Sequence, residues 1–317
     1  MKKLVIGFIG NFRVPYTTEN DRKWSFEKLG HEVFPLQENE QTYNSLLSFV
    51  VNKDPDLIVY SHTHDWNIDK LKEFFAYCKS VKLPTVSVHL DRWAWLERQR
   101  DMGQEATWFT EYMFMADFSP EAREQYKKLG INAHYLRPGV VERDCYIAKP
   151  DYERFPHEII FVGSKGYHPE YPFRPKLIDF LKETYGKRFG HYGNDGIGVM
   201  RGEDLNTLYA TAKIAVGDSC FGGRPYYVSD RYYETRGRGG FLLHPHLEGV
   251  DRVGVASYGR EKEDSLNLDS LKSVIDYYLE NSFEREEKRR MGFHYVKENE
   301  TYTNRAEEML NVIFKGV

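Results

Sequence analysis

Ser229-Asp-Arg-Tyr-Tyr-Glu-Thr-Arg-Gly-Arg-Gly-Gly-Phe-Leu-Leu-His-Pro245 is the stretch on which the reading of this chain turns. It parses as a loop, one short helix and a strand. Ser229 or Asp230 can cap the helix, Glu234 lies in its first turns, and Arg236 and Arg238 lie near its end. Gly239-Gly240 stops the helix, and Phe241-Leu242-Leu243 starts a buried strand. Free N–H groups at a helix N-terminus suit a phosphate. A carboxylate one turn inside can accept hydrogen bonds from two ribose hydroxyls. The segment therefore predicts half of a nucleotide site, against the plainer reading of an αβ unit whose glycines serve packing.

Outward from this segment, strands alternate with helices. Towards the N-terminus, Leu4–Ile9, Gly30–Leu36, Asp56–Tyr60, Pro84–His89, Phe114–Phe118 and Ala133–Leu136 read as strands. Asp21–Leu29, Tyr43–Asn52, Asp69–Val81 and Pro120–Leu129 read as the helices between them. Pro138, Pro150 and Pro156 then interrupt a charged, irregular stretch. A second alternation follows, with strands at Glu158–Gly163, Arg188–Gly193, Lys213–Gly217 and Phe241–Leu243 and helices at Arg174–Tyr185 and Glu203–Thr211. Leu268–Asn281 and Phe283–Val317 read as largely helical. The pattern predicts an α/β protein of two doubly wound, Rossmann-like domains. The expected bounds are 1–140 for the first, 141–157 for a linker, 158–300 for the second and 301–317 for a C-terminal helix.

Composition agrees with this plan. A chain of 317 residues with 41% hydrophobic residues has material for two cores. A mean hydropathy of -0.63 and the lack of a long apolar run argue against a membrane span. Met1-Lys-Lys-Leu-Val-Ile-Gly-Phe-Ile-Gly10 reads as a first strand and not a signal peptide, because its apolar run is short. Cys78, Cys145 and Cys220 form no metal pattern and, being three, no disulfide framework. A reducing, cytoplasmic setting is expected. The net charge of -4 gives no global attraction to nucleic acid or anionic lipid.

Arg231-Tyr-Tyr-Glu234, followed by Gly237-Arg-Gly-Gly240 and a hydrophobic strand, resembles the sugar-nucleotide loop of GT-B glycosyltransferases. The similarity is to the branch related to spore-maturation (CgeB-type) proteins and their phage relatives. Phe118-Ser-Pro-Glu-Ala-Arg-Glu-Gln-Tyr-Lys-Lys-Leu-Gly130 resembles the last helix of their first domain. Leu136-Arg-Pro-Gly-Val140 resembles the entry to their hinge, and Met291–Tyr302 the final helix pair where the chain crosses back. The resemblance implies two domains facing across a cleft, the first binding an acceptor and the second a nucleotide-diphosphate sugar. A UDP-sugar is the expected co-substrate, with no further cofactor.

Within the second domain, Gly163 and Ser164 end a strand where a backbone can approach a diphosphate, and Lys165 can offset its charge. The alternative is a plain βα turn with a surface lysine. His191, Tyr192 and Gly193 follow another strand, where the resemblance implies the nucleobase; packing is the alternative for the two side chains. The glycine-rich loop Ser219-Cys-Phe-Gly-Gly-Arg224 can line a sugar pocket, with Arg224 meeting phosphate, or be a loop without a role. Ser229, Arg231 and Glu234 complete the expected donor set. Retaining members of the fold often carry Glu-Gly-Phe-Gly with a second Glu about eight residues on. Here Ser219-Cys220 precedes Phe221-Gly222 and no Glu falls at that spacing, which favours inversion. Asp54-Pro-Asp56 has the letters of a metal motif but the chemistry of a turn, so no metal is expected.

The first domain supplies candidate bases. His62-Thr-His64-Asp65 and His89-Leu-Asp91-Arg92 each follow a strand. Asp91 is the expected catalytic base, with His64 and Asp65 the competing cluster; polar loop residues are the plainer reading of both. Arg92, Trp93 and Trp95 open an aromatic and basic segment running to Phe114, suited to stacking a sugar or a base or to helix-core packing. The phage relatives make a hydroxymethylated base in DNA one expected acceptor; a glycan or small molecule is the other. The expected activity is transfer of a sugar to an acceptor hydroxyl. The competing classes are a non-catalytic nucleotide-binding or assembly protein and a GT-B sugar-nucleotide epimerase.

Overall fold

Val5–Gly10, Leu57–Tyr60 and Thr85–His89 are buried along both faces, the signature of parallel strands covered by helices on both sides. The structure is a computed structural model that describes residues 2–61, 70–90, 110–166, 171, 173–219, 225–259 and 267–314. It divides into two units, Met1–Arg137 with Tyr302–Val317, and Pro138–Thr301.

In the first unit the order is β1 (Val5–Gly10), α1 (Thr18–Lys28), β2 (Glu32–Gln37), α2 (Tyr43–Lys53), β3 (Leu57–Tyr60), α3 (Leu71–Ser80), β4 (Thr85–His89), β5 (Tyr112–Met115), α4 (Pro120–Lys128) and β6 (Ala133–Tyr135). The strands form one sheet, ordered β2-β1-β3-β4-β5-β6, and all pairings are parallel. Two departures from expectation have local causes. Thr17 accepts from Asn20 N through its side chain, so α1 starts at Thr18 and not at Asp21. The expected strand Phe114–Phe118 runs instead from Tyr112 to Met115. Asp117 Oδ1 accepts from Ser119 N and Oγ at 3.3 and 3.0 Å, a turn that ends the strand and leads into the Ser119 cap of α4.

The second unit contains β7 (Ile159–Val162), α5 (Phe173–Tyr185), β8 (Phe189–Tyr192), α6 (Gly202–Thr211), β9 (Ile214–Val216), α7 (Arg231–Gly237), β10 (Leu242–Pro245), β11 (Val255–Tyr258), α8 (Leu268–Glu280) and α9 (Ser282–Asn299). Its parallel sheet is ordered β11-β10-β9-β7-β8. Sequence reading named no strand at 255–258; the run is short and mixed, and is set up by Gly254 at φ +69°. Residues 141–157 pack within this unit, burying Cys145 and Phe155. The helical end breaks at Glu300-Thr301, where Val140 N donates to Glu300 O and Val140 bridges Thr301. After that break α10 (Tyr302–Phe314) belongs to the first unit.

The period of two along each strand sorts side chains into layers. Ile6 and Phe8 face α1 and α10, meeting Phe26, Met309, Leu310 and Ile313; Ile9, Ile58 and Tyr60 face α2 and α3. In the second unit Ile159 and Phe161 face α5 and α8, while Ile160 and Tyr192 face α6. Among the described residues no helix is long and apolar enough to cross a membrane. Because α10 fills one face of the first unit's sheet, truncating its fully buried Leu310 removes core. Leu310→Ala should cost about 2–5 kcal/mol in urea unfolding. A loss below about 1 kcal/mol would mean that α10 is not integral to that core.

Candidate functional site

In the second sheet β7 is joined through α5 to β8 on one side, and the next connection returns to β9 on the other side of β7. The carboxyl ends of β7 and β9 therefore flank a topological switch point, where open α/β sheets leave a crevice. Gly163-Ser164 follows β7, and Gly217-Asp218-Ser219 follows β9. Gly163 has φ +137°, and a Cβ there would lie 2.3 Å from Arg231 Nη1. The guanidinium of Arg231 thus lies directly on the Gly163 backbone and near the ring of Phe161, 5.9 Å from its centroid. Its Nε is buried with no hydrogen-bond partner among the described residues. Gly193 is equally constrained, since a Cβ would meet Gly163 O at 2.4 Å.

Beneath this corner is an ion pair that sequence reading did not find. Arg174 of α5 donates through Nε and Nη2 to Asp218 at 2.7 and 2.9 Å, and through Nη1 to Ser164 O at 3.2 Å. Their side chains are 2% and 0% exposed. Burial alone would push the Asp218 carboxyl up. The charge and hydrogen bonds of Arg174, with Arg231 adding, overcome that and hold it below the ordinary 3.8. The available signal was a carboxylate directly after a strand end. Ser219, at φ +51°, continues the scaffold. His244 Nδ1 donates to Pro245 O at 2.9 Å, so Nε2 accepts the Ser219 hydroxyl at 2.6 Å. The Ser219 oxygen in turn accepts from Ser229 N at 3.2 Å.

Ser229 is therefore tied back to β9, and the cap of α7 is Asp230, whose carboxylate accepts from Arg231 N at 2.8 Å. A negative charge sits where sequence reading expected open N–H groups. Glu234 has a side chain 15% exposed and an ion pair to Arg238. Burial raises its carboxyl above the ordinary 4.5, against the pull of Arg238. Arg236, on the opposite side of the short helix, is fully buried and bonds Asp251 at 2.6 Å and Val253 O at 2.9 Å.

Three other expected donor residues are placed differently from expectation or from one another. Tyr192 is buried against Phe155 and donates to or accepts from His157 Nδ1 at 2.8 Å, its hydroxyl pushed up to about 12 by burial. It offers no face to a base: strand alternation turns it inward and leaves His191 at the rim. His191 donates through Nε2 to Gly163 O at 2.7 Å, which links the ends of β7 and β8. Lys165 directs its ammonium to Asp179 of α5, while its backbone N–H donates to Asp195 at 2.8 Å. A cavity of about 330 Å³ lies beside them, bounded by Lys165, Asp179, Phe189, His191 and Asp195.

The first unit has its own switch point, between β1 and β3. Glu19 sits there, 3% exposed, accepting from Ser61 Oγ at 2.8 Å. Burial raises its carboxyl above the ordinary 4.5, opposed by Ser61 and by nearby Arg22. Sequence reading missed it; the signal was Gly10, whose absent Cβ leaves room for Glu19 Cγ at 2.8 Å. The expected residues His64, Asp65, Asp91, Arg92, Trp93, Trp95 and Arg224 lie outside the described residues. Among the described residues no three His, Cys, Asp or Glu side chains gather as a metal-binding set.

The family described as "Glycosyl transferase-like" matches residues 174–311, which include α5, the switch point and α7. Curated protein sequences give no match. An alpha-glucosyltransferase solved with UDP and a 13-mer DNA containing a HMU base is similar at TM-score 0.68 and 11% identity, over 98% of this chain and 100% of that one. Anabaena HepE, solved with UDP and glucose, is similar at TM-score 0.64 and 10% identity, over 98% of this chain and 100% of that one. The T4 phage BGT, solved with UDP-glucose, gives TM-score 0.58 and 12% identity, over 100% and 99% of the two chains. The chain has the two-domain GT-B fold of these structures, built from two parallel-sheet α/β units, and its residues 174–311 match the glycosyl transferase-like family.

Proposed function

We propose that this protein transfers a sugar from a UDP-sugar to an acceptor hydroxyl, with inversion and without a metal. The observation that carries the reading is Arg231: a guanidinium whose buried Nε has no partner among the described residues, laid on the backbone of Gly163 at the switch point. That is where a diphosphate needs a cation and a close-approaching backbone. Glu234, one helical turn on, is the proposed ribose ligand. The family match over 174–311 and the UDP and UDP-glucose held by the similar structures support the same reading.

In the proposed reaction an acceptor oxygen attacks the anomeric carbon as the bond to the diphosphate breaks, through an oxocarbenium-like state. Negative charge builds on the departing diphosphate, and Arg231 is placed to meet it. A single displacement inverts the carbon and needs one base for the acceptor proton. Asp91 is the base proposed from its sequence position, with the His64 and Asp65 cluster as its rival. Glu19 is a second reading, favoured by its burial and raised carboxyl at the first unit's switch point. The three cysteines without a pattern are the ground for placing the protein in a reducing cytoplasm.

Donor recognition separates phosphate from ribose. Arg231→Gln should weaken UDP binding by about tenfold or more, the value of a charge-assisted hydrogen bond, and leave uridine binding unchanged. Glu234→Gln should weaken both ligands. Calorimetry on folded variants decides the matter, and unchanged UDP affinity in Arg231→Gln would sink the assignment.

Turnover tests the chemistry. Hydrolysis of UDP-glucose without acceptor should persist in EDTA, and a loss restored by magnesium or manganese would refute metal independence. Transfer should fall by a factor on the order of 10² or more in Asp91→Asn, as for a lost general base. If Asp91→Asn keeps near-normal transfer and Glu19→Gln is inactive, the base is Glu19.

For the acceptor, the proposal names a hydroxymethylated base in DNA, read by the segment from Arg92 to Phe114. Filter binding to such DNA should weaken steeply between about 50 and about 200 mM salt as counterions are released. No binding at low salt would assign the acceptor to the glycan or small-molecule class.

A further inference from the structure

We propose that Arg238 is a positioning residue of the donor site, fixing the Glu234 carboxylate in the orientation and charge that a ribose ligand requires. The proposal rests on the reading of Glu234 as the ribose contact. Arg238 is 5% exposed and lies just past the end of α7. Its Nε donates to Glu234 Oε2, its Nη2 to Asp144 Oδ2 at 2.6 Å, and its Nη1 to the side-chain oxygen of Asn206 and, at 3.4 Å, to Gly202 O. One guanidinium thus joins α7, the segment before Cys145 and the start of α6. Asn206 is itself fixed, since its Nδ2 donates to Asp144 O and Tyr146 O at 2.8 Å each.

This geometry does two things for Glu234. It occupies Oε2 and leaves Oε1 to a ligand, with the carboxylate plane set by a planar, multiply anchored donor. It also supplies a cation, in direct contact, that opposes the upward push of burial on the Glu234 carboxyl. Besides Arg238, the described groups around Glu234 are Arg231 one turn earlier on the same helix face, Asp230 at the cap, Asp144 and Cys145 from the preceding segment, and Tyr209 of α6. Lys297 of α9 acts on Cys145 in the same layer. Burial, Asp230 and Asp144 all favour the neutral acid, and Arg238 opposes them. A protonated Glu234 would lose an acceptor for a ribose hydroxyl.

The test is UDP affinity of the full chain, by calorimetry, from about pH 5.5 to about pH 8.5. Wild type should show a shallower pH dependence than a variant that lacks the Arg238 cation. The double variant Arg238→Gln with Asp144→Asn removes the cation without leaving a second unpaired carboxylate. It should bind about tenfold more weakly at the acid end and recover most of that loss at the alkaline end, as Glu234 ionises. Arg238→Lys, which keeps charge but not the planar fork, should keep the wild-type pH dependence and bind several-fold more weakly. Thermal unfolding checks that each variant is folded, and if the double variant is not, the lysine variant decides. Wild-type affinity in Arg238→Lys, or a profile no steeper than wild type's in a folded double variant, overturns the proposal. Wild-type protein that fails to bind UDP, or Glu234→Gln that binds like wild type, overturns the donor reading and this proposal with it.

Discussion

The second unit is organised around the buried pair of Arg174 and Asp218. It fastens α5 to the loop after β9, two residues past the strand, and, through Ser164 O, to the loop after β7. Both loops that flank the switch point are therefore held by one guanidinium. Taking two charges from water is costly, and the pair recovers that cost only through its bidentate geometry and the extra bond to a carbonyl. Removing one partner would leave a buried charge, at about 3–5 kcal/mol. The folded Asp218 carboxyl titrates below the ordinary 3.8. Its contribution to stability is thus complete above that value and fades as the pH falls through the lower, folded one. Near neutrality the crevice has a rigid floor, and Arg231 stands over it.

The arginines of the α7 segment divide the labour by position. Arg231 and Arg238 lie two turns apart with Glu234 between them, one shared face of the helix. Arg236 points the other way, into a pocket with Asp251, Val253 O and the rings of Tyr232 and Tyr233. Gly237 then lets this helix press on Val140 and Val296, since a Cβ there would lie 2.6 and 3.0 Å from their methyl groups. Arg236 and Gly237 secure the helix from behind, so Arg231 and Glu234 present their groups from a fixed base. The i,i+4 order, glutamate before arginine, is the favourable one for a helix.

How much of this could be read from the sequence depends on the range of the interaction. The strands of both sheets except β11 were legible because parallel, doubly covered strands carry apolar runs that need no partner to identify. The glycines at 163 and 193 were legible as turn formers, and the helix, glycine turn and strand at 231–243 as a unit. What escaped was set by partners far away in sequence. Lys165 reads as a free surface cation until Asp179 is brought beside it by the next helix. Arg238 reads as an ordinary helix-end charge until Asp144 and Asn206 enclose it. Tyr192 is the instructive exception, because strand alternation alone predicts that it and His191 face opposite ways. Glu19 was invisible for the same long-range reason, since Ser61 meets it only once β1 and β3 pair.

The cap of α7 changes the physics proposed for donor binding. An open helix N-terminus would attract phosphate through its dipole and free N–H groups. Here Asp230 takes the first N–H and brings a carboxylate to the same place, and the helix is a bare seven residues. The dipole is short and already neutralised, so it contributes little to a bound diphosphate. Recognition in the proposed site then rests on a side-chain charge, Arg231, aimed by Gly163, rather than on the backbone. A side-chain cation can turn with a diphosphate as its bond to the sugar lengthens, whereas a helix terminus cannot. The exposed Asp230 carboxylate beside it repels a second anion, which favours a ligand that presents its phosphates along Gly163 and its ribose towards Glu234. The polarity of the proposed donor site is thus written in the order Asp230, Arg231, Glu234 along a single turn of helix.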